Sequence, residues 1–159
     1  RIADHAVNIL ESAEEIKQKK IVFSEEATKE YENICIAISE ILDLAYRAFA
    51  EGDFTAARRT EPLEQVIDTL KELLRTRHIL RLQKGECSVD AGFIWSDLLT
   101  NLERVSDHCS NISGCVLDTL GHTMNIHENQ RLIRNSSEDF IQLFDEYSKK
   151  YLISADENL

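Results

Sequence analysis

The sequence predicts an all-α protein, an antiparallel bundle of long helices. Only one proline and five glycines interrupt its 159 residues, and Glu, Leu, Ala and Ile are abundant. Apolar residues recur every three or four positions, and β-branched residues do not collect into the short alternating runs typical of strands. A nine-residue stretch also occurs twice, since Arg1–Ile9 returns 103 residues later as Arg104–Ile112 with five identities. A repeat this distant indicates two equivalent helices in one bundle.

The first two helices are predicted from apolar stripes at helical spacing. The first covers about residues 1–19 and starts without a capping residue. The second follows Ser24, whose hydroxyl can cap it, and runs to about Glu51 before Gly52 ends it. Their predicted buried faces are Ile2, Ala6, Ile9, Ala13 and Ile16 on the first helix and Tyr31, Ile34, Cys35, Ile38, Leu42, Ala45 and Phe49 on the second.

The third and fourth helices are predicted on either side of a turn at Gly85–Ser88. The third runs from its capping residue Asp53 to about Lys84. Pro62 lacks an N–H, so we expect a kink or a restart near Thr60. The fourth covers about residues 90–120. The predicted inner faces are Leu63, Val66, Ile67, Leu70 and Leu74 on the third helix and Leu98, Leu102, Val105, Cys109, Ile112 and Val116 on the fourth.

A fifth helix is predicted over about residues 126–153, followed by a frayed tail. Its expected core contacts are Leu132, Phe140, Leu143, Phe144, Tyr147 and Tyr151. We therefore divide the chain into a helical bundle over residues 1–120 and a C-terminal helix with its tail over residues 121–159, packed on the same domain.

Composition and charge narrow the classes of function. A net charge of −11 argues against binding to nucleic acid or to an anionic membrane surface. The four cysteines lack metal-ligand spacing, which favours a reducing compartment. No apolar run approaches the length of a membrane span, so we expect no direct membrane insertion by this chain. The sequence contains no phosphate-binding glycine loop, nucleophile elbow or Cys–His pair, and it therefore indicates a protein that is not an enzyme.

Acidic residues four positions apart line two of the predicted helices. Glu103, Asp107 and Asn111 form a row on the fourth helix that is predicted to face away from the core. Glu64 and Asp68 repeat the spacing near the edge of the apolar stripe of the third helix. Carboxylates from two neighbouring helices can bind one hard cation. An ordinary solvated acidic face would show the same spacing, and both interpretations stay open.

The repeated motif adds further candidate residues to this predicted metal site. Asp4 and Asn8 form the matching row on the first helix. His5 and His108 could supply nitrogen ligands or contacts outside the ligand shell, and Asn111 could supply such an outer contact. A solvated face gives no reason for Asp-His-x-x-Asn to recur. A ferritin-like di-iron site is disfavoured because no Glu is followed three residues later by His.

A basic cluster lies near the end of the third helix. It consists of Arg75, Arg77, His78 and Arg81. Cations at this position interact favourably with the negative end of the helix dipole, and this would explain the basic cluster by its contribution to structure. The alternative is contact with an anion or with an acidic partner segment.

At its acidic motifs the sequence resembles the PhoU family, which carries a Glu-Arg-φ-x-Asp motif in each three-helix repeat. Glu103–Asp107 matches in full, Glu64–Asp68 resembles the family's second acidic pattern, and Asp4 ends a truncated copy. The resemblance covers about residues 1–120. Because family members are six-helix bundles of two repeats, it implies about one repeat here, with a partial N-terminal helix and an extra C-terminal helix. It also implies that iron or another divalent metal binds to Glu64, Asp68, Glu103 and Asp107, with Asp4 as an incomplete outlier.

Three other segments resemble the PhoU-like cytoplasmic region of bacterial sodium–phosphate cotransporters. They are Arg77–Leu82, Lys84–Cys87 and Asp97–Arg104. This resemblance implies a regulatory domain at the cytoplasmic face of the inner membrane, with the membrane transport domain of the same protein as its partner. The alternatives are a stand-alone phosphate-signalling adaptor and a metal-free dimerisation module. A nearly absent first repeat also predicts an uncovered apolar flank, and with it a homodimer.

Overall fold

Five α-helices and no strand make up the described part of the chain in a computed structural model. The structure describes the backbone of residues 1–123 and 126–152, and the side chains of residues 1–119 and 138–152. The predicted all-α fold is confirmed. The predicted tail over residues 154–159 and the predicted contact of Leu132 lie outside the described residues. The helices are α1 (Ile2–Lys19), α2 (Glu25–Glu51), α3 (Phe54–Gln83), α4 (Val89–Thr123) and α5 (Ile126–Tyr151).

The predicted capping residues fix the starts of two helices. The Ser24 hydroxyl accepts from the Ala27 amide at 3.2 Å, and the Asp53 carboxylate accepts from the Ala56 amide at 3.0 Å. Gly52 ends α2 with φ of 67°, a left-handed conformation that glycine adopts without a steric penalty.

The predicted restart near Thr60 does not occur, because α3 continues through Pro62. A proline inside a helix removes one backbone hydrogen bond. Pro62 and Leu63 are both buried, and this packing offsets the lost bond.

The centre of the bundle consists of α2, α3 and α4, with α1 packed on α4 and α5 packed mainly on α3. Trp95 donates from Nε1 to the Leu74 carbonyl at 3.4 Å, while Ser110, further along α4, meets Glu61 near the start of α3. These contacts show that α3 and α4 run antiparallel. The largest buried side chains of the three central helices include Trp95, Ile34, Ile41, Leu63, Ile67, Leu70, Leu74 and Leu99.

Two predicted stripes differ from the structure. Leu42 and Phe49 of α2 are exposed, because this helix packs on α3 and α4 through another face, where residues such as Ile41 and Ala48 are buried. Ala6 and Ala13 are also exposed. α1 packs mainly on α4 and therefore turns only one narrow face inward.

The C-terminal end of α5 closes one side of the bundle. Tyr147 and Tyr151 are buried as predicted. Arg59 donates to the Tyr147 hydroxyl at 2.9 Å, and Asn33 donates to the Tyr151 carbonyl at 3.0 Å. None of the helices, over the described residues, has the length and apolar character needed to cross a membrane.

Candidate functional site

The antiparallel packing of α3 and α4 brings the two predicted acidic rows together. Glu103 lies against α3 with its side chain 15% exposed, whereas Asp107 is 40% exposed. The prediction that this row faces away from the core is therefore wrong for Glu103. The prediction placed the row opposite the apolar seam of α4, but α3 packs against that flank of the helix.

Glu64 lies at the centre of the acidic group. Its side chain is half-buried, and its pKa is raised from 4.5 to about 7. Burial is the largest cause, followed by the negative charges of Glu61, Asp68, Asp107 and Glu103. We call these five residues the acidic cluster. At neutral pH the fold holds part of the Glu64 population in its protonated form.

Glu61 is the member of the acidic cluster that sequence reasoning missed. It accepts a hydrogen bond from Ser110 of α4. Its spacing of three residues from Glu64, which itself precedes Asp68 by four, places all three on one face of α3. This continuous row of three acidic residues was the sequence pattern that could have identified Glu61.

Two basic residues partly neutralise the acidic cluster. Lys71 Nζ lies 3.4 Å from Asp68 Oδ1 and 3.7 Å from Glu103 Oε2. Partial burial works to lower the pKa of Lys71, but the charges of Glu103 and Asp68 outweigh it and the pKa is raised. Arg104 lies 3.9 Å from oxygens of both Glu103 and Asp107. Among the described side chains, two cations thus face five carboxyl groups, and these leave an excess of negative charge.

The chemistry of the acidic cluster suits a hard cation. All five side chains offer carboxylate oxygens, the ligands preferred by Mg²⁺ and Mn²⁺. In the described residues, however, no three His, Cys, Asp or Glu side chains are close enough together to hold a metal ion. Lys71 and Arg104 already neutralise part of the charge of these carboxylates. In this arrangement the acidic cluster can take up a proton or attract a cation.

The remaining predicted residues of the repeated motif fall outside the acidic cluster. Asp4 is exposed on α1 and is not among the charges that raise the pKa of Glu64. Asn111 is exposed and donates to Asp107 Oδ1 at 3.3 Å. His5 and His108 contact each other across α1 and α4, with ring centroids 5.4 Å apart.

The predicted basic cluster is built into the end of the bundle. Arg77 and Arg81 donate to the two carboxylate oxygens of Glu30 on α2, at 3.2 and 2.7 Å. His78 stacks on Trp95 with ring centroids 5.3 Å apart, and burial followed by the charge of Arg81 lowers its pKa. His78 and Arg81 are buried, so these two side chains have a packing role. Glu30, more than the helix dipole, compensates the positive charge.

Comparison with known proteins gives two matches. A model of the PhoU domain family matches residues 33–116, just over half of the chain, and this segment contains the whole acidic cluster. The chain is also 30% identical, over 112 residues, to phosphate-specific transport system accessory protein PhoU homolog 1 of Thermotoga maritima. The aligned part is 70% of this chain and 47% of the relative, so the chain spans about half of that protein's length. No solved structure shows a significant match.

Proposed function

The chain belongs to the PhoU family, and on that premise we propose that it is a non-enzymatic regulatory domain in phosphate signalling. The observation that carries the proposal is the family match over residues 33–116 together with the acidic cluster that this segment builds. Glu64 is half-buried and the Glu103 side chain is only 15% exposed, and placing these two carboxyls between packed helices is costly to fold. A binding role for the group gives a reason for that cost.

An adaptor that acts on separate partner proteins is the form of this role that we favour. The relative from Thermotoga maritima is named as an accessory protein of a phosphate-specific transport system. By analogy, the partner would be a protein of phosphate transport or signalling. The second form, a domain attached to a sodium–phosphate cotransporter at the inner membrane, rests on sequence segments such as Arg77–Leu82. Contacts of Arg77 and Arg81 with Glu30 give that segment a structural explanation.

Metal binding at the acidic cluster is part of the proposal. We propose that a divalent ion such as iron or manganese binds between α3 and α4, with Glu64, Asp68, Glu103 and Asp107 as ligands. The excess of negative charge and the raised pKa of Glu64 support this, because a bound cation would relieve the repulsion that protonation relieves now. The ion would join the two helices and reduce the charge of the surface offered to a partner.

The cellular test is complementation in a strain that lacks the gene. Phosphate uptake and a phosphate-responsive reporter are measured with the wild type, with Glu103→Gln/Asp107→Asn, and with the control Glu72→Gln on an exposed part of α3. We expect the double variant to lose phosphate-dependent regulation and the control to keep it. Normal regulation without the gene would refute the regulatory role. Regulation that is lost without the gene and restored by the double variant would refute only the role of the acidic cluster.

The biochemical test is elemental analysis of purified protein after incubation with iron or manganese. Stoichiometric metal in the wild type, lost in Glu103→Gln/Asp107→Asn, is the expected result. Equal metal in both proteins would refute a site at the acidic cluster. If the wild type bound no detectable metal and still formed stable dimers in sedimentation experiments, the metal-free dimerisation module would be the better interpretation. Exposed Leu42, Tyr46 and Phe49 on α2 offer an apolar surface for such a homodimer.

A further inference from the structure

The two copies of the repeated motif meet at their histidines. His5 on α1 and His108 on α4 are equivalent positions of the repeat, and both side chains are half-buried. Their ring centroids are 5.4 Å apart and the ring planes are inclined by 36°. This histidine pair lies between α1 and α4, whereas the acidic cluster occupies the flank of α4 that packs on α3. The family match begins at residue 33 and does not include His5.

Hydrogen bonds to Asn101 determine which nitrogen of His5 carries a hydrogen. The Asn101 amide group donates from Nδ2 to the Asp97 carbonyl at 2.9 Å, which directs its Oδ1 towards α1. This oxygen lies 2.9 Å from Nδ1 of His5 and also accepts from Asn8 at 2.9 Å. An amide oxygen can only accept, so Nδ1 of His5 is the donor.

The fixed hydrogen on Nδ1 prepares His5 to be a metal ligand. A neutral imidazole protonated at Nδ1 keeps its lone pair on Nε2, which is a common metal-binding atom. Histidines that bind metals usually donate their other ring N–H to a carbonyl or carboxylate oxygen, as His5 does to Asn101. His108 places a second imidazole directly beside that of His5.

We propose that His5 and His108 together bind a borderline transition-metal ion such as Zn²⁺ or Ni²⁺, with water completing its coordination. Imidazole nitrogen suits these ions better than it suits the hard cations that carboxylates prefer. At a Zn–N distance of about 2.1 Å and a tetrahedral angle, two imidazole centroids lie roughly 5 Å apart. The observed 5.4 Å matches this separation. The ion would link α1 to α4, and α4 is the helix on which α1 mainly packs.

Calorimetric titration of the full chain with ZnCl₂, and separately with NiCl₂, tests the proposal after prior removal of metal with a chelator. We expect the wild type to bind one ion per chain. His5→Gln and His108→Gln should each weaken binding at least about tenfold, because each removes one of the two protein ligands. Asn101→Leu should weaken it by about tenfold or more, whereas Asn101→Asp keeps an acceptor for His5 and should bind nearly as the wild type does.

The acidic variant Glu103→Gln/Asp107→Asn separates this proposal from metal binding at the acidic cluster. It keeps both histidines, and so it should bind Zn²⁺ with unchanged affinity. Circular dichroism and urea unfolding without metal would verify that each variant is folded. If a histidine variant failed to fold, the two Asn101 variants would decide the question. The proposal is overturned if the wild type binds neither ion, if the histidine variants bind equally well, or if only the acidic variant loses binding.

Discussion

Replacing Glu64 with Gln should stabilise the protein at pH 7.5, although the change removes a charged group from a helix. Folding raises the pKa of Glu64 from 4.5 to about 7, mainly through burial and then through four neighbouring carboxyls. At 1.36 kcal/mol per pKa unit this shift corresponds to about 3 kcal/mol of destabilisation at high pH. Because the side chain is only half-buried, solvent screening reduces the figure to about 1–2 kcal/mol.

The pH dependence gives this prediction a definite sign. A carboxyl whose pKa rises on folding takes up protons as the chain folds, so wild-type stability falls as the pH rises from about 4.5 to about 7. Gln carries no charge at any pH. The advantage of Glu64→Gln should therefore be greatest above pH 7 and shrink to a few tenths of a kcal/mol near pH 4.5.

Urea unfolding with a metal chelator, at pH 7.5 and pH 4.5, measures the effect. The control is Glu72→Gln on the same helix, where the carboxylate is 55% exposed and lies 3.4 Å from Lys71, and it should change stability little. A Glu64→Gln variant that is no more stable than the wild type at pH 7.5 would refute the reasoning. An equal gain at both pH values would also refute it, because the gain would then have no electrostatic origin.

Two further substitutions test the ends of the bundle. Glu30→Gln should lower the free energy of unfolding in urea by about 3 kcal/mol, because it leaves Arg77 and Arg81 without their carboxylate partner at a site where Glu30 and Arg81 are only 11% and 9% exposed. A loss no greater than that of the exposed control Glu32→Gln would contradict this. Gly52→Ala should lower the free energy of thermal unfolding by about 1 kcal/mol, because an alanine at φ of 67° is strained. The added methyl itself meets nothing within 4 Å. An unchanged Tm would show that α2 can end in another conformation.

The helices could be predicted because their signals are local. Ser24 and Asp53 fix the starts of α2 and α3 through hydrogen bonds to amides three residues away, so sequence alone locates them. The buried face of α2 depends on where α3 and α4 pack. Spacing alone therefore assigned Leu42 and Phe49 to the core, although both are exposed.

The candidate site shows the same division between local and tertiary information. Spacing of four residues identified Glu64, Asp68, Glu103 and Asp107 as two rows. Which carboxyls share one environment depends on how α3 is rotated against α4. That rotation adds Glu61, and it leaves the Glu103 side chain only 15% exposed, although the pattern had placed it in solvent.

The two copies of the repeated motif differ in chemistry because different helices pack against them. Asp107 and Asp4 occupy equivalent positions, yet Asp107 lies beside the acidic face of α3, whereas Asp4 is exposed on α1. The two histidines of the motif contact each other because α1 and α4 pack together, and Asn101, which holds His5, lies outside the repeat. The motif therefore contributes carboxylates to a shared negative site only where a second acidic helix packs beside it. Its imidazoles contact each other because its two copies pack together.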